Sequence, residues 1–396
     1  MRKEITSLTG LRGIAACWVV LYHSFAAGLK PNPGPFANLI VHGYLAVDIF
    51  FVLSGFVMAM SYGAMFSAGF NMTSFRVFLL RRLARIYPLY LVLTCFALAV
   101  LILIDHTHFH PVELARSLAE NLALVDAWGL GGSIDGPAWS ISTELAAYLL
   151  FPWLAAVLLF RSRLVAITSA MACLMVVVAL SHAPTPASEI GHRSGPYDIF
   201  GSHSLYPVIR CVVEFSLGLV VFRAAENKTI RAAFQRRWLA WFSTAVMLAL
   251  LLITNSDALF VCLVAPFVLI LAVGEGAIPW ALGTAPAMFL GRISYAVYLL
   301  HLPLLSLRHF LLPHLARFFS PDIAQLLAFA IFAAVLGVAA SLAFRFIEQP
   351  GRSFIRNLEL RVTPSAPGLV TRSKIAGLEV VEANGARNNE QPIFPT

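Results

Sequence analysis

The stretch "LRGIAACWVVLYH", Leu11 to His23, lies in an apolar run from Gly10 to Leu29 that is long enough to enter a bilayer. It nevertheless carries an arginine near one end and a histidine at the other. Read as a helix, Arg12 and His23 project from one face, about 16 Å apart along the axis at a rise of ~1.5 Å per residue. They cannot touch, but they can mark two ends of one path through the protein. An ionisable side chain at mid-membrane costs ~2.5–3.5 kcal/mol on insertion scales, so each needs a partner, a watery cavity or a function.

The rest of the chain has the same character. Its 396 residues are 59% hydrophobic and only 12% charged, with a mean hydropathy of +0.80. Soluble domains carry about 25% charged residues. The composition therefore predicts an all-α, polytopic integral membrane protein. Ten apolar stretches approach the ~20 helical residues that a hydrocarbon core requires: 10–29, 40–62, 86–104, 138–160, 164–181, 205–222, 238–254, 257–273, 289–307 and 323–346. Stretches seven and eight are separated only by "NSD" and read as a helical hairpin. The first run ends in "KPNPGPF" without a small-residue cleavage site, so it reads as a span rather than a signal peptide.

With the N-terminus in the cytosol, 20 of the 28 Lys and Arg residues fall on the cytosolic side and 5 on the other. That asymmetry predicts both termini inside and a multi-pass protein of the plasma or inner membrane. The net charge of +8 is then a topology signal, with the lipid bilayer and no nucleic acid as the implied partner. Residues 1–354 form the membrane domain. Residues 355–396 turn polar and aperiodic and are expected to be a disordered cytosolic tail. The five cysteines lie in apolar spans without metal spacing, and "HTHFH" at His106–His110 lacks supporting ligands, so no metal is expected. Asn71 and Asn227 head glycosylation-like triplets on the side predicted to be cytosolic, which makes those triplets chance matches.

His23, Asp48, Glu144, Arg210 and His301 come from five different stretches, yet all fall in one layer of the outer half of the membrane. Two readings follow. Either the groups pair to lock helices together, Asp48 with Arg210 for example, or they line a polar chamber in which Asp48 or Glu144 orients His23 as a general base. On the opposite side, "RRLARIYP" sets Arg81, Arg82 and Arg85 just before the third stretch, and Arg12 and Arg292 come near the same level. Such a run can be a stop-transfer block. Arg12 and Arg292 enter the spans themselves, however, where a phosphate-bearing ligand would compensate them through arginine's planar fork.

The motifs "LRGIAACWVVLYH", "GYLAVDIFFVLSGF", "RRLARIYP", "GPAWSISTELAAY" and "ISYAVYLLHLPL" occur in that order, and together they resemble the membrane-bound acyltransferase-3 family. The resemblance covers the chain to about residue 350. It implies an integral membrane O-acyltransferase that moves an acyl group, often acetyl, from cytosolic acyl-CoA to a hydroxyl of a glycan such as a bacterial surface polysaccharide, with no permanently bound cofactor. It also implies that His23 is catalytic and that Arg12, Arg81 and Arg82 are needed for activity. Arg12, Arg292 and the Arg81–Arg85 cluster would then hold the coenzyme A phosphates while the pantetheine arm reaches towards His23. Ser140, Ser142 and Tyr298 are candidate oxyanion donors, Arg210 and His301 further site residues, and an acyl-His23 intermediate remains open. A transporter or flippase is the rival class, since intramembrane charges line transport paths too, but no matching halves are visible.

Overall fold

The computed structural model describes residues 4–26, 34–104, 111–184, 194–200 and 204–354. The described residues contain helices and loops and no strand. In chain order the helices are α1 (Thr6–Phe25), α2 (Pro35–Val41), α3 (Ala46–Tyr62), α4 (Met72–Ile104), α5 (Pro111–Leu122), α6 (Trp139–Phe160), α7 (Arg163–Leu180), α8 (Tyr206–Glu226), α9 (Lys228–Phe234), α10 (Arg237–Leu251), α11 (Asp257–Val273), α12 (Ala277–Leu282), α13 (Ala285–Leu315) and α14 (Pro321–Ala343). Among the described residues each of the ten apolar stretches is mostly helical. Six segments among the described residues are long and apolar enough to cross a membrane: Ala37–Phe66, Met72–Leu103, Gly136–Phe160, Arg163–Leu180, Ala285–Leu315 and Pro321–Phe354. Helices α1 and α8 have comparable length, 20 and 21 residues, but carry Arg12, His23, Arg210 and Glu214. Helices α10 and α11 are apolar but shorter. The predicted count of ten is thus ten helices, of which six have the length and apolarity of spans.

The outer helices wear their apolar side outward, as lipid requires. On α7, Leu164, Ile167, Met171, Met175 and Val178 form an exposed stripe at helical spacing, while Ala166, Val177 and Leu180 turn inward. On α14 the inward stripe is Ala324, Ala328, Phe332, Leu336 and Ala340, whose three alanines let neighbouring helices approach closely. Packing in a bilayer depends on such close backbone contact, because lipid tails are as apolar as leucine. The tightest case for the site is α1 on α13. A Cβ on Gly13 would stand 2.6 Å from the Gly291 backbone nitrogen, so neither helix has room for a side chain at the crossing.

Two element boundaries differ from the sequence reading. Helix α4 begins at Met72, so Arg76, Arg81, Arg82 and Arg85 lie within one 33-residue helix that continues through Pro88. The hairpin between α10 and α11 turns at Asn255, whose φ of 60° is a left-handed conformation that asparagine tolerates. Asn71 and Asn227 serve as helix caps: the Asn71 side chain accepts from the Ser74 backbone N–H at 3.0 Å, and the Asn227 side chain accepts from Thr229 and Ile230. The "HTHFH" segment, the tail from 355 onward and most of "KPNPGPF" lie outside the described residues.

Candidate active site

Helices α1 and α13 run side by side and build both ends of the site. At the arginine end, Arg12 Nε donates to Ser294 Oγ at 2.9 Å and Nη2 donates to the Gly291 carbonyl at 2.6 Å. The missing side chain at Gly291 is what brings that carbonyl within reach. Arg12, Arg82 and Arg352 all lie within electrostatic range of the half-buried Arg85. Arg82 donates to Tyr62 Oη at 3.1 Å and stacks over the same ring at 5.0 Å. Four guanidinium groups therefore converge. Glu4, Glu144 and Glu348 provide the nearby negative charge: Glu4 is near Arg12, Glu144 lies close to Ser54, Tyr148, Arg82 and Arg85, and Glu348 accepts from Arg352 at 2.6 Å. With Glu4 also near Arg12, four fixed cations against three carboxylates leave a net positive cluster.

Arg352 and Glu348 were absent from the sequence reading. They reach the cluster because α14 continues through a π-helical turn, Phe344–Glu348, that turns Glu348 into the interior with no exposure. A wide turn of this kind is not visible in hydrophobic periodicity, although its frequent association with functional sites fits this position. Arg292 is exposed and does not join the cluster, because its neighbour Gly291 is the residue that faces α1. Arg81 is exposed on α4, one residue round the helix from the buried Arg82.

At the histidine end, His23 Nδ1 lies 3.1 Å from the Val19 carbonyl and 3.1 Å from His301 Nε2. His301 Nδ1 lies 2.5 Å from the Tyr298 carbonyl. These contacts fix the tautomers. A carbonyl can only accept, so His301 carries its proton on Nδ1 and offers the Nε2 lone pair. His23 must then carry its proton on Nδ1, shared between Val19 O and His301 Nε2. Its own Nε2 is left as a free lone pair on a half-buried imidazole. That is the electronic state a general base requires.

The expected carboxylate partners are elsewhere. Asp48 accepts both arms of Arg210, from Nε at 2.9 Å and Nη2 at 2.6 Å, with both side chains at most 1% exposed. Glu214 lies 3.7 Å from the same guanidinium. This buried group joins α3 to α8, and neither Asp48 nor Arg210 reaches His23. Glu144 sits with the arginines, near Arg82 and Arg85. His301, named from sequence only as a member of the same layer, takes the place assigned to a carboxylate.

Ser142 is also committed: its hydroxyl donates to the Leu124 carbonyl at 3.0 Å and accepts from the Ala127 N–H at 3.1 Å, pinning the preceding loop to α6. Ser140 Oγ donates to the Pro137 carbonyl at 3.4 Å and lies close to Tyr298. The Tyr298 ring is 5.8 Å from that of His301, so this pair borders the imidazoles. Tyr22, beside His23, donates to Asp198 at 2.7 Å, and Tyr44 donates to Asp257 at 2.7 Å; together they hold the 194–200 segment against the histidine end. In the loop before α6, burial pushes the Asp135 carboxyl up to about 7 and that of Asp126 up to about 6. Asp135 Oδ2 has no hydrogen-bond partner, and the next residue, Gly136, backs onto Leu302 of α13. Among the described residues no group of three or more metal-ligating side chains occurs.

Residues 5–346 match the family model described as "Acyltransferase domain". The chain is 27% identical over 369 residues to Acyltransferase MdmB of Streptomyces mycarofaciens, covering 88% of this chain and 91% of that protein. It is 22% identical over 382 residues to the O-acetyltransferase OatA of Staphylococcus aureus, covering 88% of this chain but 57% of that protein. Over a shorter region of 171 residues it is 26% identical to the peptidoglycan O-acetyltransferase OatA of Listeria monocytogenes, covering 38% of this chain and 24% of that one. No solved structure matches it. With a family match that spans nearly the whole chain, the protein belongs to the acyltransferase-3 family of multi-pass membrane O-acyltransferases.

Proposed function

We propose that the protein transfers an acyl group, acetyl in the simplest case, from cytosolic acyl-CoA to a hydroxyl of a glycan presented at the opposite face of the membrane. In this reading Arg12, Arg82, Arg85 and Arg352 bind the phosphates of coenzyme A at the cytosolic mouth. The thioester arm runs along the α1–α13 seam towards His23, a path of about 16 Å for eleven residues of helix. The observation that carries the reading is the His23–His301 pair, whose tautomers leave His23 Nε2 unprotonated.

His23 Nε2 takes the proton of the acceptor hydroxyl as that oxygen attacks the thioester carbonyl. The C–O bond forms, the tetrahedral intermediate collapses, and the C–S bond breaks. Coenzyme A leaves as its thiol, carrying the proton from His23 Nε2. The imidazolium that exists between those steps donates Nδ1–H to His301 Nε2 and Val19 O, which lowers its energy without a carboxylate. Ser140 and the Tyr298 hydroxyl, which border the imidazoles, would donate to the developing oxyanion. A dry, buried site protects the thioester from water.

The test is acceptor-dependent release of coenzyme A from labelled acetyl-CoA by the purified protein, with bacterial glycan as acceptor. Removing the base in His23→Ala should lower transfer by about 10²- to 10⁴-fold. Transfer at the wild-type rate by the folded variant would remove His23 from the mechanism.

A further inference from the structure

Helix α13 carries one inward stripe from end to end: Gly291, Ser294, Tyr298, His301, Leu305 and Arg308 are all buried. The first two hold Arg12 and the next two serve the imidazole pair. Arg308, beyond the ninth apolar stretch of the sequence, is therefore not a loop residue. It lies seven residues past His301, two turns along the same face and about 10 Å further out. The burial of Leu305 and Arg308 shows that the stripe continues beyond Pro303.

Arg308 does not reach out towards lipid. It is 7% exposed, whereas its neighbour Phe310 is 62% exposed on the outer side of the same helix. Its guanidinium lies over the Phe25 ring at 4.9 Å, just past the end of α1 and two residues from His23. Phe25 is itself held by Phe329 of α14 at 5.0 Å. Arg308 Nε is buried without a hydrogen-bond partner, and among the described residues no carboxylate pairs with the group. Arg82 Nε and Arg352 Nε are likewise unpartnered, but each of those guanidiniums has a carboxylate beside it, Glu144 and Glu348, and the buried Arg210 has Asp48 and Glu214. A guanidinium keeps its charge under all protein conditions, so a desolvated one compensated only by an aromatic face is an anion site waiting for its anion.

We infer that Arg308 binds an anionic oxygen group of the acceptor, a sugar carboxylate or a phosphate, one helix repeat outward from the base. The inference rests on the acyl-transfer reading above and narrows its acceptor to a negatively charged glycan. Arg308 would hold the charged group by its bidentate fork while a hydroxyl of the same molecule reaches His23 Nε2, so that charge recognition sets which hydroxyl is acylated.

The experiment uses the full chain in nanodiscs of phosphatidylcholine, with methyl glucuronide, glucose 1-phosphate and the neutral methyl glucoside as probes. The wild type should show higher kcat/KM for a charged probe than for methyl glucoside. Arg308→Gln should lower that preference by about ten- to a hundredfold, the value of a charge-assisted hydrogen bond, and Arg308→Lys should restore part of it. Equal use of charged and neutral probes by the wild type, or an equal loss for all three in Arg308→Gln, would overturn the assignment. Binding of the same probes is measured in parallel with desulfo-coenzyme A saturating the other end. Charged-probe binding that is independent of Arg308 overturns the inference whatever the transfer assay gives. Absent transfer with Arg308-dependent binding would instead count against the acyl-transfer reading and leave the anion site standing. Repeating the titration in phosphatidylglycerol nanodiscs identifies the remaining source: suppression of charged-probe binding in the wild type alone would make a lipid headgroup the partner and refute the acceptor assignment.

Discussion

Replacing His301 separates a base from the residue that orients it. His23 Nδ1–H is held by two acceptors at equal distance, Val19 O and His301 Nε2, both 3.1 Å away. His301→Ala removes one of them and leaves the other. A neutral hydrogen bond contributes about 0.5–1.5 kcal/mol net, so the tautomer is weakened rather than lost. The imidazolium formed during transfer loses more, because hydrogen bonds to a charged group are worth about 1.5–3 kcal/mol. Together these give an expected fall in kcat of about ten- to a hundredfold, smaller than the ~10²- to 10⁴-fold loss for removing the base in His23→Ala. His301→Gln places an amide oxygen that can accept the same proton and should recover part of the rate. The KM for acetyl-CoA should stay near the wild-type value in both, since the arginine end lies about 16 Å away. The assay is steady-state release of coenzyme A across pH 5.5–9, with acetyl-CoA binding as a check on folding. If His301→Ala falls as far as His23→Ala with no rescue by glutamine, His301 is itself the proton acceptor and the tautomer assignment is wrong; if kcat is unchanged, the pair has no catalytic part.

Arg352→Ala should raise the KM for acetyl-CoA by about tenfold, the loss of one charge-assisted contact, with little change in kcat; an unaltered KM would leave Arg352 as a partner of Glu348 alone. Asp48→Asn strips Arg210 of its bidentate partner and should destabilise the protein by about 3–5 kcal/mol, as breaking a buried pair does, read as lower yield and a lower unfolding temperature in detergent; a stable, inactive variant would instead return Asp48 to the chemistry. Gly13→Val puts a Cβ 2.6 Å from the Gly291 nitrogen, so α1 must move away from α13; overpacking of this kind costs about 1–3 kcal/mol, and acetyl-CoA binding should weaken with it because Arg12 is held by the Gly291 carbonyl. Burial raises the Asp135 carboxyl from 3.8 to about 7 and that of Asp126 to about 6. The folded state thus holds protons that the unfolded state releases, and stability should fall as pH rises from about 4 to 7. Asp135→Asn should flatten that slope, and an unchanged unfolding temperature between pH 5 and pH 8 in the wild type would contradict the burial of these groups.

Much of this architecture was legible in the sequence because lipid enforces it. A backbone that cannot hydrogen-bond to solvent must be helical, so ten apolar stretches became ten helices, and the spacing of Arg12 and His23 fixed two ends on one face of α1. The five recurring motifs identified the family, and the family supplied the reaction. Tertiary structure decided the partners. Periodicity places Asp48, Glu144, Arg210 and His301 at similar depths, but depth says nothing about which way each helix is turned about its own axis. That rotation is set by glycine crossings, Gly13 against Gly291 and Gly55 against the Phe215 carbonyl, where absent side chains let two backbones meet. It turned Asp48 to Arg210, Glu144 to the arginines, and His301 to His23. It also carried Glu348 and Arg352 into the donor end through a widened turn, and folded Arg308 inward over the end of α1. Sequence determined which charges the membrane must compensate; only the packing of one helix on another determined what compensates each of them.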